Sequence, residues 1–573
     1  MKVLFKHAAE NKAYCICGPA FKALEATFEL CVPLVMSKII DIGIKQGDTG
    51  YILKMAGILI ILGILGFAAT VSAQYFSAAA SVRIVDGIKR DMFEKIQSFS
   101  YSDLDNIGTS SLITRLTSDA NQVLTGINLT LRLFIRSPFI VFGAMIMAFT
   151  VDTKAAVTFA VVIPLLSIVV FGIMLICIPL YKKVQSALDG LTLSSLENLK
   201  GVRVIRAFNN QDRETGEFKE KTQLLFNRQT LVGEISALMN PLTYVLINFA
   251  VAALIYVGAF RVNSGALTQG QVVSLYNYML LILVELIKLA NLIITMTKSA
   301  ACENRIESII NMPVSQSFKK EHVNLKNSDI AVEFKNVSLK YSPDSANSLS
   351  GISFCAKRGE KIGIIGATGS GKSSLVSLIP RFYDATSGEV LLNGENVNCY
   401  PKDELCKKIG TVPQKAMLFA GTIRDNMLIG NRDAGDEDIK YALTAAQAID
   451  FVNEKGLDFK VEQGGKNFSG GQRQRLTIAR ALVKKPEVLI LDDSASALDF
   501  ATDLKLRKAI SALDFKTTVF IVSQRTSSIR DCDKIIVLDE GKCVGMGSHE
   551  YLLENCGEYK EIYDSQFKKE DEK

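Results

Sequence analysis

Histidine occurs only three times in this 573-residue sequence, and tryptophan not at all. So few imidazoles leave little for histidine-rich metal chemistry, and zinc is set aside. The eleven cysteines are scattered, and the closest pair, Cys15 and Cys17, lacks the spacing of a metal site or a redox motif. Without a framework of spacings they read as reduced thiols, facing the cytosol or lying in apolar helices. Net charge is small as well. Sixty-five Lys and Arg against 59 Asp and Glu leave +6, slight for this length. No polyanion follows from it, and no nucleic-acid partner is expected.

What the sequence has is hydrophobicity: 48% of its residues and a mean hydropathy of +0.22. That excludes disorder and fits poorly with a purely soluble protein. The length exceeds one core, so two or more domains are expected. Apolar runs dominate before about residue 300, and an ordinary soluble pattern follows after about 330. Spanning a bilayer takes roughly 20 apolar residues in a helix. Six segments qualify, about 14–40, 51–80, 131–150, 155–180, 240–260 and 272–297. Several of these exceed what a buried soluble helix requires. The first carries Lys22, Glu25 and Glu29 and lacks a small-residue cleavage site, so it reads as a retained span rather than a signal peptide.

Lys and Arg concentrate in 81–130 and 181–239, whereas the connections 41–50, 151–154 and 261–270 hold one each. By that bias both termini and the two long loops face the cytoplasm, in a multi-pass cell-membrane protein. The long loops have few Gly or Pro, so the spans should continue into the cytosol as helices. Each is expected to turn once, near Ser100–Gly108 and near Asn209–Gly216. Ionisable residues inside spans are costly and point to function. For Glu285 and Lys288, three apart, an internal pair and a role lining a polar cavity both stand; Glu25 and Glu29 are further candidates. Arg132 and Arg136 are expected to reach toward headgroups.

The second half opens with strands at Ala331–Leu339, Ile352–Ala356 and Lys361–Ile365. Directly after comes Gly366-Ala367-Thr368-Gly369-Ser370-Gly371-Lys372-Ser373, a phosphate-binding loop at every fixed position. Glycines let the backbone approach phosphates, and successive N–H groups at a helix start make an anion site. Lys372 would reach the β- and γ-phosphates of ATP, and the Ser373 hydroxyl would ligate Mg2+. A second apolar strand, Val488–Leu491, ends in Asp492 and Asp493, where Asp492 suits a Mg2+ partner. Between them Ser469-Gly470-Gly471-Gln472 precedes another helical run. One site has little use for two such loops, so this one is expected to serve a nucleotide on another subunit.

The ordered motifs, namely the phosphate loop, Val412-Pro413-Gln414, Ser469 to Gln472, the strand to Asp492, Ser496-Ala497-Leu498-Asp499 and Ser523-Gln524-Arg525, resemble an ATP-binding cassette (ABC) domain. With six spans before it the chain is similar to a half-transporter of the exporter type, the bacterial multidrug and lipid-exporter group. The resemblance implies a six-helix transmembrane domain over 1–312, a linker over 313–330 and an α/β P-loop cassette over 331–573. It also implies that Tyr341 stacks on adenine, that Ser374 joins the phosphate site, that Gln414 touches Mg2+, and that Asp499 lies in the D-loop. Two positions depart from the family: Asp493 stands where glutamate polarises the attacking water, and Gln524 stands where histidine meets the γ-phosphate. Asp493 is one methylene short, about 1.5 Å, and Gln524 cannot become charged or pass a proton.

These departures lead to an exporter subunit whose own site holds ATP and hydrolyses it slowly. Its signature loop would complete a competent site on a different half-transporter. A homodimer with a working Asp493, and an ATP-gated membrane regulator or channel, are the alternatives. The substrate would be an amphipathic small molecule or lipid, moved out of the cytoplasm or inner leaflet by alternating access. The first span begins within about 15 residues of Met1, which leaves no room for the peptidase domain of some peptide exporters.

Overall fold

The computed structural model describes residues 2–318, 328–342 and 345–567. Half of the expected linker, 319–327, lies outside the described residues. The chain divides into two compact units: residues 1–97 with 109–312, and residues 98–108 with 313–573.

The first half of the chain is helical: α1 (Lys2–Glu10), α2 (Lys12–Lys38), α3 (Thr49–Ser98), α4 (Tyr101–Ile107), α5 (Thr109–Thr114), α6 (Ala120–Leu133), α7 (Arg136–Val151), α8 (Thr153–Ala207), α9 (Gln211–Ala237), α10 (Met239–Asn263) and α11 (Gln269–Ile310). Side chains cap the ends where spans begin. Asp152 accepts from the Ala155 N–H to start α8, and Thr268 with Gln271 forms a capping box on α11. The 50 residues of α3 extend about 75 Å at 1.5 Å per residue. The chain then turns at Phe99–Ser100, and again at Phe208–Asn210 where α8 gives way to α9, close to both expected turns.

Among the described residues, five helical stretches are long and apolar enough to cross a membrane: Thr49–Ser98, Thr109–Val151, Thr153–Ala207, Gln211–Asn263 and Gln269–Ile310. They contain the expected spans 51–80, 131–150, 155–180, 240–260 and 272–297. The first expected span, 14–40, is helical as α2 with a π-wound end at Ile39–Ile44, yet Lys22, Glu25 and Glu29 keep it outside that group. Close packing uses small residues. A Cβ on Gly126 of α6 would come within 2.2 Å of Ser299 Oγ on α11.

Several ionisable residues expected inside the spans gather around Arg136, which is only 7% exposed. It bonds Glu285 and, at 2.7 Å, Glu29; Ser137 Oγ donates to Glu285 at 2.8 Å. Lys288 pairs with Glu285 at 2.8 Å, and Lys22 with Glu25 at 2.5 Å. The internal Glu285–Lys288 pair therefore forms. Arg136 does not reach toward headgroups as its position suggested. A charge inside an apolar bundle is tolerated when opposite charges surround it, and here α2 and α11 supply them.

Among the described residues the second unit holds twelve strands: β1 (Ile330–Leu339), β2 (Leu349–Lys357), β3 (Lys361–Ile365), β4 (Ser387–Leu392), β5 (Glu395–Asn396), β6 (Ile409–Val412), β7 (Gly421–Thr422), β8 (Lys460–Val461), β9 (Val488–Asp492), β10 (Thr518–Val522), β11 (Lys534–Asp539) and β12 (Lys542–Gly547). One sheet, β2-β1-β4-β5, is antiparallel. The larger runs β12-β11-β3-β10-β9-β6, parallel except for β12 at its edge. Every residue of β10 is buried, as are Val488–Leu491 of β9. Strands covered on both faces read as unbroken apolar runs for that reason.

Register does the positioning. Val522 on β10 aligns with Ile364 on β3 and with Asp492 on β9. The phosphate loop, the Ser523-Gln524 loop and the acidic pair therefore leave the sheet side by side at its carboxyl edge, where α/β sheets bind ligands.

The segment 98–108 clusters with this second unit. Tyr101 stacks on Phe382 at 4.4 Å, and the Tyr383 hydroxyl donates to Asp105 at 2.6 Å. Asp103 accepts from the N–H groups of Ser100 at 3.0 Å and Ser315 at 3.2 Å.

Candidate nucleotide site

The loop after β3 bends through Gly366, Gly369 and Gly371, and only glycine fits two of these positions. A Cβ on Gly366 would lie 2.1 Å from the Leu538 carbonyl oxygen. One on Gly371, at φ +96, would lie 2.7 Å from that of Ser348. Gly371 then caps a helix, α12 (Lys372–Ser377), whose first N–H groups have no intrahelical partner.

Lys372 is buried, and its ammonium donates to the carbonyls of Gly366 at 2.8 Å and Ala367 at 2.6 Å. Burial lowers its pKa, against the pull of Asp493 and Asp492. Ser373 Oγ donates to Asp492 Oδ1 at 3.0 Å. Burial raises the Asp492 carboxyl above its ordinary value; the Ser373 bond and Lys372 oppose this, and the adjacent Asp493 adds to it. A hydroxyl and a carboxylate on one wall are hard oxygen donors of the kind Mg2+ takes, beside a glycine cradle sized for phosphate. The residues present fit ATP and Mg2+.

Asp493 sits at φ +44 with its N–H on the Val522 carbonyl at 3.0 Å. Its carboxylate accepts from Gln414 Nε2 at 3.2 Å. A cavity of about 610 Å3 brings together Thr368, Gly369, Gly371, Lys372, Ser373 and Ser374 with Gln414, Asp492, Asp493 and Gln524. Gly366, Ala367 and Ser370 lie in the same loop outside that lining, and Ser370 is buried. Tyr341 also stands outside it, half exposed, with its hydroxyl 2.8 Å from Ser374 Oγ and its ring edge-on to Tyr383 at 4.9 Å.

The remaining expected residues are elsewhere. Ser469 caps the helix Gly470–Leu482 in a capping box with Gln472; Ser469 and Gly470 are exposed, and none of Ser469 to Gln472 lines the cavity. Asp499 caps the helix Phe500–Ser511 by accepting from the Thr502 N–H at 3.0 Å, a bond that holds its carboxyl below the usual range.

Sequence reasoning missed one wall. Ser348 and the β11–β12 turn Glu540–Gly541 line the cavity opposite the acidic pair, fastened by the Ser350 N–H to the Gly541 carbonyl at 2.8 Å. Glu-Gly between two apolar strands signals a hairpin turn and nothing about a ligand.

Comparison with known proteins agrees with this geometry. Residues 15–286 match the family described as ABC transporter transmembrane region, and residues 349–496 match the family described as ABC transporter. An uncharacterised ABC transporter ATP-binding protein of Mycobacterium tuberculosis is 34% identical over 544 residues, which is 94% of this chain and 93% of that protein. An ATP-dependent lipid A-core flippase of Syntrophus aciditrophicus is 31% identical, over 85% of this chain and 81% of its own. A solved bacterial Atm1-family ABC exporter with ATP bound has the same fold, with a TM-score of 0.79 and 22% identity over 99% of both chains.

Proposed function

The chain belongs to the ABC transporter family, and from that premise we propose that it is one half of an ATP-driven exporter for amphipathic small molecules or lipids. The observation that carries this is the phosphate loop beside Asp492, Asp493 and Gln414, in the same polypeptide as long apolar helices. The flippase name of one relative and the apolar spans support an amphipathic substrate. The domains run 1–312 and 331–573, with six spans, and α2 is the first of them despite its charges. Both termini are cytoplasmic.

Lys372 and the loop N–H groups bind the phosphates, Tyr341 stacks on the base, and Ser373, Gln414 and Asp492 would hold Mg2+. When bound, that ion neutralises charge across the β- and γ-phosphate oxygens. Ser469 to Gln472 and Asp499 serve the nucleotide of the facing subunit. Nucleotide held between two cassettes favours their joined state by mass action, and alternating access follows from joining and release.

The partner is a different half-transporter. Asp493 is too short to place a water where glutamate would, and a misplacement of about 1 Å costs on the order of a hundredfold. Gln524 cannot carry the charge or proton of a histidine. This chain's site therefore retains ATP and hydrolyses it slowly, while its signature loop completes a fast site on the partner. ATP-dependent dye or lipid uptake into inverted vesicles tests the exporter reading. It is expected to vanish with Lys372→Ala. Gated ion flux without uptake would instead mark a regulator or channel.

A further inference from the structure

The loop that carries Gln524 is fastened from outside the sheet. Gln566, on the helix Gly557–Phe567, spends its whole carboxamide on that loop. Its Oε1 accepts from the Thr526 N–H and from the Thr526 hydroxyl, each at 2.9 Å, and its Nε2 donates to the Gln524 carbonyl at 2.8 Å. One side chain thus closes the three residues Gln524 to Thr526 like a clasp.

Both sides of the clasp are anchored. Thr526 is fully buried and opens the short helix Thr526–Ile529, whose first N–H has no partner within that helix. The Ser523 N–H donates to the Ile364 carbonyl at 3.1 Å, and the Ser523 hydroxyl accepts from the Arg525 N–H at 2.9 Å. On the other side Tyr559 is fully buried, with its hydroxyl 2.7 Å from His549 Nδ1. Gln566 itself is exposed and fills no core volume. The polar contacts of its amide are what it offers.

We infer that Gln566 is a positioning residue for Gln524. It fixes the backbone on which Gln524 turns toward the terminal phosphate, and so sets the preference of this site for a nucleoside triphosphate over a diphosphate. The inference rests on the reading of Gln524 as the group beside that phosphate. A diphosphate lacks the γ-phosphate that Gln524 would meet, so the ratio of the two affinities isolates the clasp from general damage.

The test is equilibrium binding of a slowly hydrolysed ATP analogue and of ADP, with Mg2+, to the full-length chain in nanodiscs. Gln566→Ala is expected to weaken the triphosphate about three- to tenfold and to leave ADP within about twofold, the scale of one or two neutral hydrogen bonds. Gln566→Glu keeps the acceptor for Thr526 but loses the donor to Gln524, and should shift the ratio the same way in a chain that folds. Ser565→Ala, next to it on the helix, should shift neither. Equal losses for both nucleotides, or none, overturn the inference. Gln524→Ala is measured alongside. If it leaves the ratio unchanged, the reading of Gln524 itself falls; if it shifts the ratio and both Gln566 variants do not, the clasp alone is wrong.

Discussion

Two neighbouring carboxylates at the tip of β9 have different surroundings. Asp492, half-buried, is held by the Ser373 hydroxyl and loses enough water to raise its pKa, whereas Asp493 meets the amide of Gln414 across the cavity. A carboxyl raised on folding holds its proton more tightly in the native state. Its contribution to stability is complete below the unfolded value, about 3.9, and is lost as pH rises through the folded one. At neutral pH an ionised Asp492 costs stability. Asp492→Asn is therefore expected to raise the melting temperature of the isolated chain near pH 7, with the gain shrinking toward about pH 4. The same variant should weaken Mg2+-dependent triphosphate binding at least about tenfold; scanning calorimetry and titration read the two effects. For Asp493 the expectation is kinetic. Asp493→Glu combined with Gln524→His should raise steady-state ATP turnover of the assembled transporter by roughly ten- to a hundredfold. No change in turnover would mean that the shorter carboxylate already works.

Among elements, Arg136 ties α7 to α2 and α11 through Glu29 and Glu285, inside helices that otherwise present apolar surface. Removing the cation leaves Glu285, 2% exposed, with Lys288 as its remaining charged partner among the described residues. Arg136→Met should cost about 3–5 kcal/mol, read as a lower unfolding temperature in detergent, and adding Glu285→Gln should recover part of it. In the second unit α4 and the Phe382-Tyr383 pair form one aromatic patch, and Tyr383 touches both Asp105 and the ring of Tyr341. Tyr383→Phe keeps the ring and removes only the bond to Asp105. Substrate-stimulated turnover is expected to drop several-fold with nucleotide affinity unchanged. Weaker nucleotide binding would assign Tyr383 to the base platform instead.

At the scale of the whole molecule, the signature loop, Ser469 to Gln472, lies away from the chain's own cavity, with Ser469 and Gly470 exposed at the start of a helix that Ser469 caps. A helix start of that kind suits an anion brought by another subunit. The chain purified alone is expected to turn over ATP on the order of a hundredfold more slowly than when joined to its partner. Vanadate trapping of labelled nucleotide in the assembled transporter should mark the partner's phosphate loop and spare Lys372. Equal labelling of both halves, or two identical chains with full activity, would establish a homodimer.

The sequence by itself determined the local features. An apolar run of sufficient length must be helical in a bilayer, and the glycine spacing from Gly366 to Gly371 forces a turn that few other residues could adopt. Motif order placed Ser373, Asp492 and Gln524 in one family pattern. Their proximity came from elsewhere, from the alignment of Ile364, Val522 and Asp492 across three strands that are more than a hundred residues apart in part. Pairing over such separations leaves no local signal, which is why nothing in the sequence singled out Glu540–Gly541 or Gln566. Arg136 shows the same limit from the other side. Its place near a helix start suggested headgroups, and only the packing of α2 and α11 brought the carboxylates that hold it inside.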